Sequence, residues 1–169
     1  MRRRLAMALV GTTAATAGVG WALWRERLFE EQTSGVWSLR LPQLAGPELN
    51  MARLKGRPTV LNFWATWCPP CIKELPEIER FYRQFSPLGW QVVGIAVDNL
   101  GPVQAFLARV PLTFAIGLAG FEGADLSRRL GNSTGALPFT VVFGADGLIR
   151  QRKLGTTSFD ELASWARSV

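Results

Sequence analysis

The chain contains no histidine and only two cysteines among its 169 residues. Without histidine there is no Ser-His-Asp triad, no Cys-His protease pair and no His-ligated zinc. A haem attached through Cys-x-x-Cys-His is excluded too, because Ile72 stands where that histidine belongs. Two cysteines do not complete a four-ligand zinc or iron–sulfur site unless a second chain supplies the rest. Internal repeats and low-complexity segments are also missing.

A basic stripe is absent as well, although the formal net charge is +6 and the pI is about 10.3. Residues 1–27 hold five arginines against one glutamate, a net of +4, which leaves +2 for everything after them. The electrostatic footprint of a nucleic-acid binder is therefore lacking, and no nucleic-acid partner is expected. Hydrophobic residues make up 48% of the chain. That suffices for one globular domain with an appended segment.

The appended segment reads as an address. Arg2, Arg3 and Arg4 precede residues 5–24, a stretch of 20 residues without charge. As a helix it spans about 30 Å, the thickness of a hydrocarbon core. The arginines favour the cytoplasmic side, with Trp21 and Trp24 at the far interface. A cleaved signal peptide competes with this anchor, since Ala15-Thr16-Ala17 has the small-x-small form of a cleavage site. Cleavage there leaves an apolar new N-terminus, which favours the anchor. Both readings export the domain. The expected organisation is an anchor or signal segment over 1–27, a polar tether over 28–36 and one domain over 37–169.

At the start of that domain, residues 36–58 read as short strands and turns. Residues 59–65 (TVLNFWA) and 90–97 (WQVVGIAV) are apolar runs of strand length. Between them Cys71, Leu75, Ile78, Phe81 and Phe85 recur at helical spacing. A second helix is predicted around 102–110, an extended piece at 112–116 and a short helix at 121–132. PFTVVF and LIRQRKL flank a glycine turn as paired strands. Ser158 and Glu161 form a capping box that opens a closing helix. The order β-α-β-α-β followed by β-β-α predicts an α/β fold with a mixed sheet and helices on both faces.

Both cysteines fall at the start of the first helix, in NFWATWCPPCIKELP. Residues i and i+3 there lie on one face, with Cα atoms roughly 5–6 Å apart, inside the range a disulfide requires. Pro69 and Pro70 have no N–H to lose, which a helix start tolerates. The helix N-terminus favours a thiolate on Cys68, while Cys71 lies deeper. This predicts Cys68 as attacking thiol and Cys71 as resolving thiol. A structural staple is the alternative. So short a loop removes little chain entropy, so the redox reading prevails. No Pro-x-x-x-Thr-x-x-Cys pattern supports a peroxidase.

Trp64, Trp67, Cys68, Pro70, Cys71 and Pro76 match the thioredoxin active-site pattern, and NFWATWCPPC resembles the TlpA/ResA branch of membrane-anchored extracytoplasmic thioredoxins. The similarity covers residues 37–169. It includes Pro138 in GALPFTVVF and Gly155 in KLGTTS. The resemblance implies a thioredoxin-like fold, a cis bond between Leu137 and Pro138, and a client-docking rim of Trp67, Pro69, Pro70, Leu137 and Pro138. Trp64 is read as either core or rim, and Pro76 is expected to kink its helix. Where cytosolic thioredoxin has a buried aspartate this chain has Asn62. Glu74 then becomes the expected proton acceptor for Cys71, against the reading of a solvated helix charge.

The resemblance further implies a reductase of client cysteine pairs, such as apocytochrome c or copper-site assembly proteins. A membrane thiol transporter supplies its electrons, and it has no cofactor beyond its own disulfide. Its expected place is the bacterial inner membrane, with the N-terminus cytoplasmic and the catalytic domain periplasmic. A disulfide-forming oxidant and a non-catalytic binding module are the competing readings.

Overall fold

The computed structural model describes Gly20, Trp21, Trp24, Thr33 and residues 35–168. The chain divides into two units, Met1–Gln32 and Thr33–Val169. Of the first, Gly20, Trp21 and Trp24 are helical. The rest of the expected anchor, with its arginines and its Ala15-Thr16-Ala17 cleavage site, lies outside the described residues. Among the described residues no helix is long and apolar enough to cross a membrane. Most of the expected tether also lies outside them. Thr33 and Val36 are fully buried, so the second unit begins before residue 37.

In that unit a short antiparallel pair, β1 (Arg40–Leu41) and β2 (Leu49–Asn50), precedes the main sheet. The sheet consists of β3 (Thr59–Trp64), β4 (Gln91–Ala96), β5 (Ala115–Leu118), β6 (Phe139–Phe143) and β7 (Ile149–Leu154). Their order is β5-β4-β3-β6-β7. β3, β4 and β5 run parallel, whereas β6 and β7 pair antiparallel. Parallel neighbours need crossovers. Helix α1 (Pro69–Phe85) supplies the one from β3 to β4, and α2 (Leu100–Leu107) the one from β4 to β5. Helix α3 (Gly123–Arg129) lies between β5 and β6, and α4 (Phe159–Ala166) closes the fold.

The sheet is covered on both faces, which is why all six residues of β3 are buried. Val60 and Trp64 enter a core with Leu75, Ile78 and Phe81 of α1, Phe106 of α2 and Leu162 of α4. Leu61 and Phe63 point to the opposite face. There α3 approaches so closely that a Cβ on Gly123 would stand 3.0 Å from Val97. On that face Trp37 also meets Phe143 edge-on, with ring centroids 5.0 Å apart.

The sequence places an extended piece at 112–116, but the strand runs over Ala115–Leu118. Thr113 is held by α1 instead of the sheet. Its N–H and hydroxyl donate to the Glu79 carboxylate at 2.8 and 2.7 Å. Half of the capping box forms: the Ser158 hydroxyl accepts the Glu161 N–H at 3.3 Å. The Glu161 carboxylate turns to Lys153 of β7.

Candidate active site

Cys68 is the N-cap of α1. Its backbone is still extended (φ −103°, ψ 98°), and its sulfur accepts the Cys71 N–H at 3.3 Å. Pro69 and Pro70 fill the first helical positions, where proline's fixed φ suits the helix. The two sulfurs are joined as a disulfide with Cα atoms 5.3 Å apart. Cys71 is fully buried, while Cys68 keeps 4% of its surface. The accessible edge of the disulfide thus belongs to the first cysteine.

The residues expected to form the docking rim are uncharged. Trp67 is 59% exposed, and Pro69 and Pro70 are exposed beside it. Leu137 is half-buried against the same core cluster that holds both cysteines. The Leu137–Pro138 bond is cis, as expected. The carbonyl of Pro138 accepts the N–H of Gly155 at 2.9 Å. Gly155 sits at φ 95°, a conformation that glycine adopts without a steric penalty. Trp64 is core rather than rim, fully buried and tilted against Phe106 at 5.4 Å. Pro76 is exposed, and α1 continues past it as one helix to Phe85.

The loop that carries Trp67 is tied down from the next strand. Asp98, at the end of β4 and only 4% exposed, accepts the Thr66 N–H at 2.8 Å and its hydroxyl at 2.5 Å. Its other oxygen accepts the Asn99 N–H at 2.7 Å. Sequence reading did not single out Asp98. Its position just after an apolar strand, at the end where the motif loop also emerges, was the available signal.

Behind Cys71 lies a buried polar cluster. Glu74, one helical turn further along α1, is 2% exposed, so it is not a solvated helix charge. Its Oε1 accepts the Asn62 amide at 2.7 Å, and its Oε2 accepts the Thr157 N–H at 2.7 Å. Asn62 also donates to the Thr140 hydroxyl at 3.1 Å, and the Thr157 hydroxyl lies 3.3 Å from that of Thr140. Burial pushes the Glu74 carboxyl up to about 7, against the pull of the Thr157 N–H, the Asn62 amide and the charge of Lys153. Asn62 therefore does not replace the aspartate of cytosolic thioredoxin as an acid. It orients the acid that α1 provides. Among the described residues its Oδ1 has no hydrogen-bond partner, nor has Trp64 Nε1 two residues along the same face of β3. Thr140 and Thr157 escaped the sequence reading. The one hint was a threonine inside the apolar run of β6.

A family model described as Redoxin matches residues 31–164. The thiol-disulfide oxidoreductase ResA of Bacillus anthracis is 26% identical over 127 residues, covering 75% of this chain and 71% of that protein. ResA of Geobacillus kaustophilus is 26% identical over 175 residues, covering 99% and 97%. A secreted Mycobacterium tuberculosis disulfide oxidoreductase homologous to E. coli DsbE aligns with a TM-score of 0.66 at 26% identity, over 79% of this chain and 97% of that one. A thioredoxin-family thiol:disulfide interchange protein from Chlorobium tepidum aligns with a TM-score of 0.70 at 25% identity, over 78% and 92%. Taken with the Cys68–Cys71 disulfide at the head of α1 and the cis bond before Pro138, these likenesses place the chain in the Redoxin family, as a thiol-disulfide oxidoreductase of the TlpA/ResA type.

Proposed function

We propose that this protein reduces disulfides in extracytoplasmic client proteins. In the reduced protein the Cys68 thiolate attacks one sulfur of a client disulfide and expels a client thiolate. Cys71 passes its proton to Glu74 and attacks the Cys68 sulfur of the mixed disulfide. The second client thiolate leaves and takes a proton from water. Two electrons have moved to the client, and the Cys68–Cys71 disulfide is restored. Trp67, Pro69, Pro70 and Leu137 form the surface on which the client segment rests; Pro138, expected among them, is buried. No cofactor beyond the disulfide is required. A membrane thiol transporter recharges the pair.

One observation carries the direction. Of the backbone donors at the head of α1, only the Cys71 N–H reaches the Cys68 sulfur, at 3.3 Å, because Pro69 and Pro70 have none. Strong oxidants owe their potential to a heavily stabilised reduced form. Here a proline pair withholds that stabilisation, and the ionisable group behind Cys71 is an acid, so the dithiol gives up its electrons readily. The arginine-led apolar segment and the secreted relative support a periplasmic domain anchored in the bacterial inner membrane, with the N-terminus cytoplasmic. Apocytochrome c and copper-site assembly proteins are the clients that the resemblance favours.

Equilibration with glutathione tests the direction. A potential nearer thioredoxin's, about −270 mV, than DsbA's, about −120 mV, is expected. A value above about −200 mV favours the disulfide-forming alternative. Expression of Cys71→Ser in the exported protein traps the client on Cys68. Recovery of no mixed disulfide favours a binding module.

A further inference from the structure

A buried acid that receives a proton has to release it, and a client seated over the disulfide shields that side from water. A groove on another side of Glu74 answers this need. It measures about 380 Å³, and its lining includes Lys73, Glu74 and Glu77 of α1, Lys153 of β7, Thr157 and Glu161 of α4. None of Trp67, Pro69, Pro70, Leu137 or Pro138 lines it. A client resting on that rim does not fill it.

The charges in this groove are not symmetric about Glu74. Lys153 Nζ is ion-paired with the Glu161 carboxylate, and the two side chains are 30% and 32% exposed. Glu77 Oε2 accepts the N–H of Phe159 at 3.2 Å, so it serves the start of α4. Lys73 is exposed on the outer side of α1. The contacts that reach Glu74 from β3 and from the loop before α4, Asn62 and Thr157, are uncharged, as is Thr140 of β6 behind Asn62. The Lys153–Glu161 pair is therefore the charged contact that β7 and α4 bring to the groove.

We propose that this groove is the proton port of Glu74, and that Lys153, held by Glu161, is a positioning residue that sets how readily Glu74 takes up and releases the proton of Cys71. The proposal rests on the reading that Glu74 accepts that proton. The S–H bond of Cys71 breaks, the proton passes to the Glu74 carboxylate, and the sulfur attacks Cys68. Glu74 then returns the proton to water in the groove. The positive charge of Lys153 favours the carboxylate form of Glu74, whereas the negative charge of Glu161 opposes it. Removing either partner therefore has consequences of opposite sign.

The experiment mixes the reduced protein with oxidised glutathione and follows release of the second glutathione against pH. Cys71→Ser isolates the first step. In the unaltered protein this rate rises through an inflection near the Glu74 value of about 7. Lys153→Met is expected to move the inflection upward and slow resolution several-fold at pH values below it. Lys153→Arg restores the original profile, and Glu161→Gln moves the inflection downward. Loss of packing does not shift two members of one ion pair in opposite directions. Shifts of the same sign, or none, overturn the proposal. If Glu74→Gln keeps the inflection, another group accepts the proton, and the underlying reading of Glu74 fails together with its port.

Discussion

The two sides of the Cys68–Cys71 disulfide are built from different chemistry. The outer side is a rim of Trp67, Pro69, Pro70 and Leu137, without a charge and largely open to solvent. The inner side is a closed set of hydrogen bonds among Asn62, Glu74, Thr140 and Thr157, all 2% exposed or less. On the proposed reading the rim, which offers surface and shape, selects the disulfide that reaches Cys68, and the inner cluster, which offers one titratable group, receives the Cys71 proton. That reading makes recognition and proton transfer separable by mutation.

The largest effect that sharpens this contrast comes from the sulfurs themselves. Cys68→Ser abolishes reduction of any disulfide, whereas Cys71→Ser still attacks and stops at the mixed disulfide, visible by mass as a covalent adduct. Two-step turnover by either variant breaks the division of labour.

Next comes Glu74→Gln. Resolution of the mixed disulfide is expected to slow by roughly 100-fold at pH 8, the size of a lost acid–base partner. Stability moves the other way. The folded-state value of about 7 lies above the ordinary 4.5, so the native state favours the protonated acid. The stability this confers is complete below pH 4.5 and is lost as the pH rises through 7. The substituted side chain carries no charge to desolvate, but its single oxygen accepts from only one of the Asn62 amide and the Thr157 N–H. Denaturant unfolding should show the variant gaining about 3 kcal/mol relative to the unaltered protein between pH 4 and pH 8.

A smaller effect belongs to the tie between rim and sheet. Asp98→Ala leaves the Thr66 N–H and hydroxyl without their acceptor and should cost about 1–3 kcal/mol in denaturant unfolding. It should also slow client reduction, because Trp67 and Cys68 lose the support of the neighbouring strand. The smallest change in stability is expected for Trp67→Ala, within about 0.5 kcal/mol. Its signature is a several-fold higher KM for a protein client with the rate toward oxidised glutathione unchanged. A matching loss with glutathione would show that the rim also shapes the chemistry.

Much of this was legible before any coordinates. The helix after Trp67, the β6–β7 hairpin and the spacing of the two sulfurs all follow from features a few residues apart, whereas the rim position of Trp67 followed from the resemblance. The cis bond before Pro138 followed from the resemblance alone, since a proline at a strand edge has a plainer reading. The role of Trp64 was not legible, because a tryptophan four positions before a reactive cysteine fits core and rim equally well. Burial against Phe106 settled it.

The chain itself determined that two sulfurs share one helical turn on either side of a proline pair, because the i, i+3 geometry is local and needs no other segment. Only the tertiary structure decided that Glu74 is a near-neutral acid. Its amide partner sits on β3, its backbone donor lies 83 positions later in the chain, and the threonine that completes the set comes from β6. A carboxyl's affinity for its proton depends on the water it has lost and the dipoles that replace it, and those are set by segments that meet only when the sheet closes.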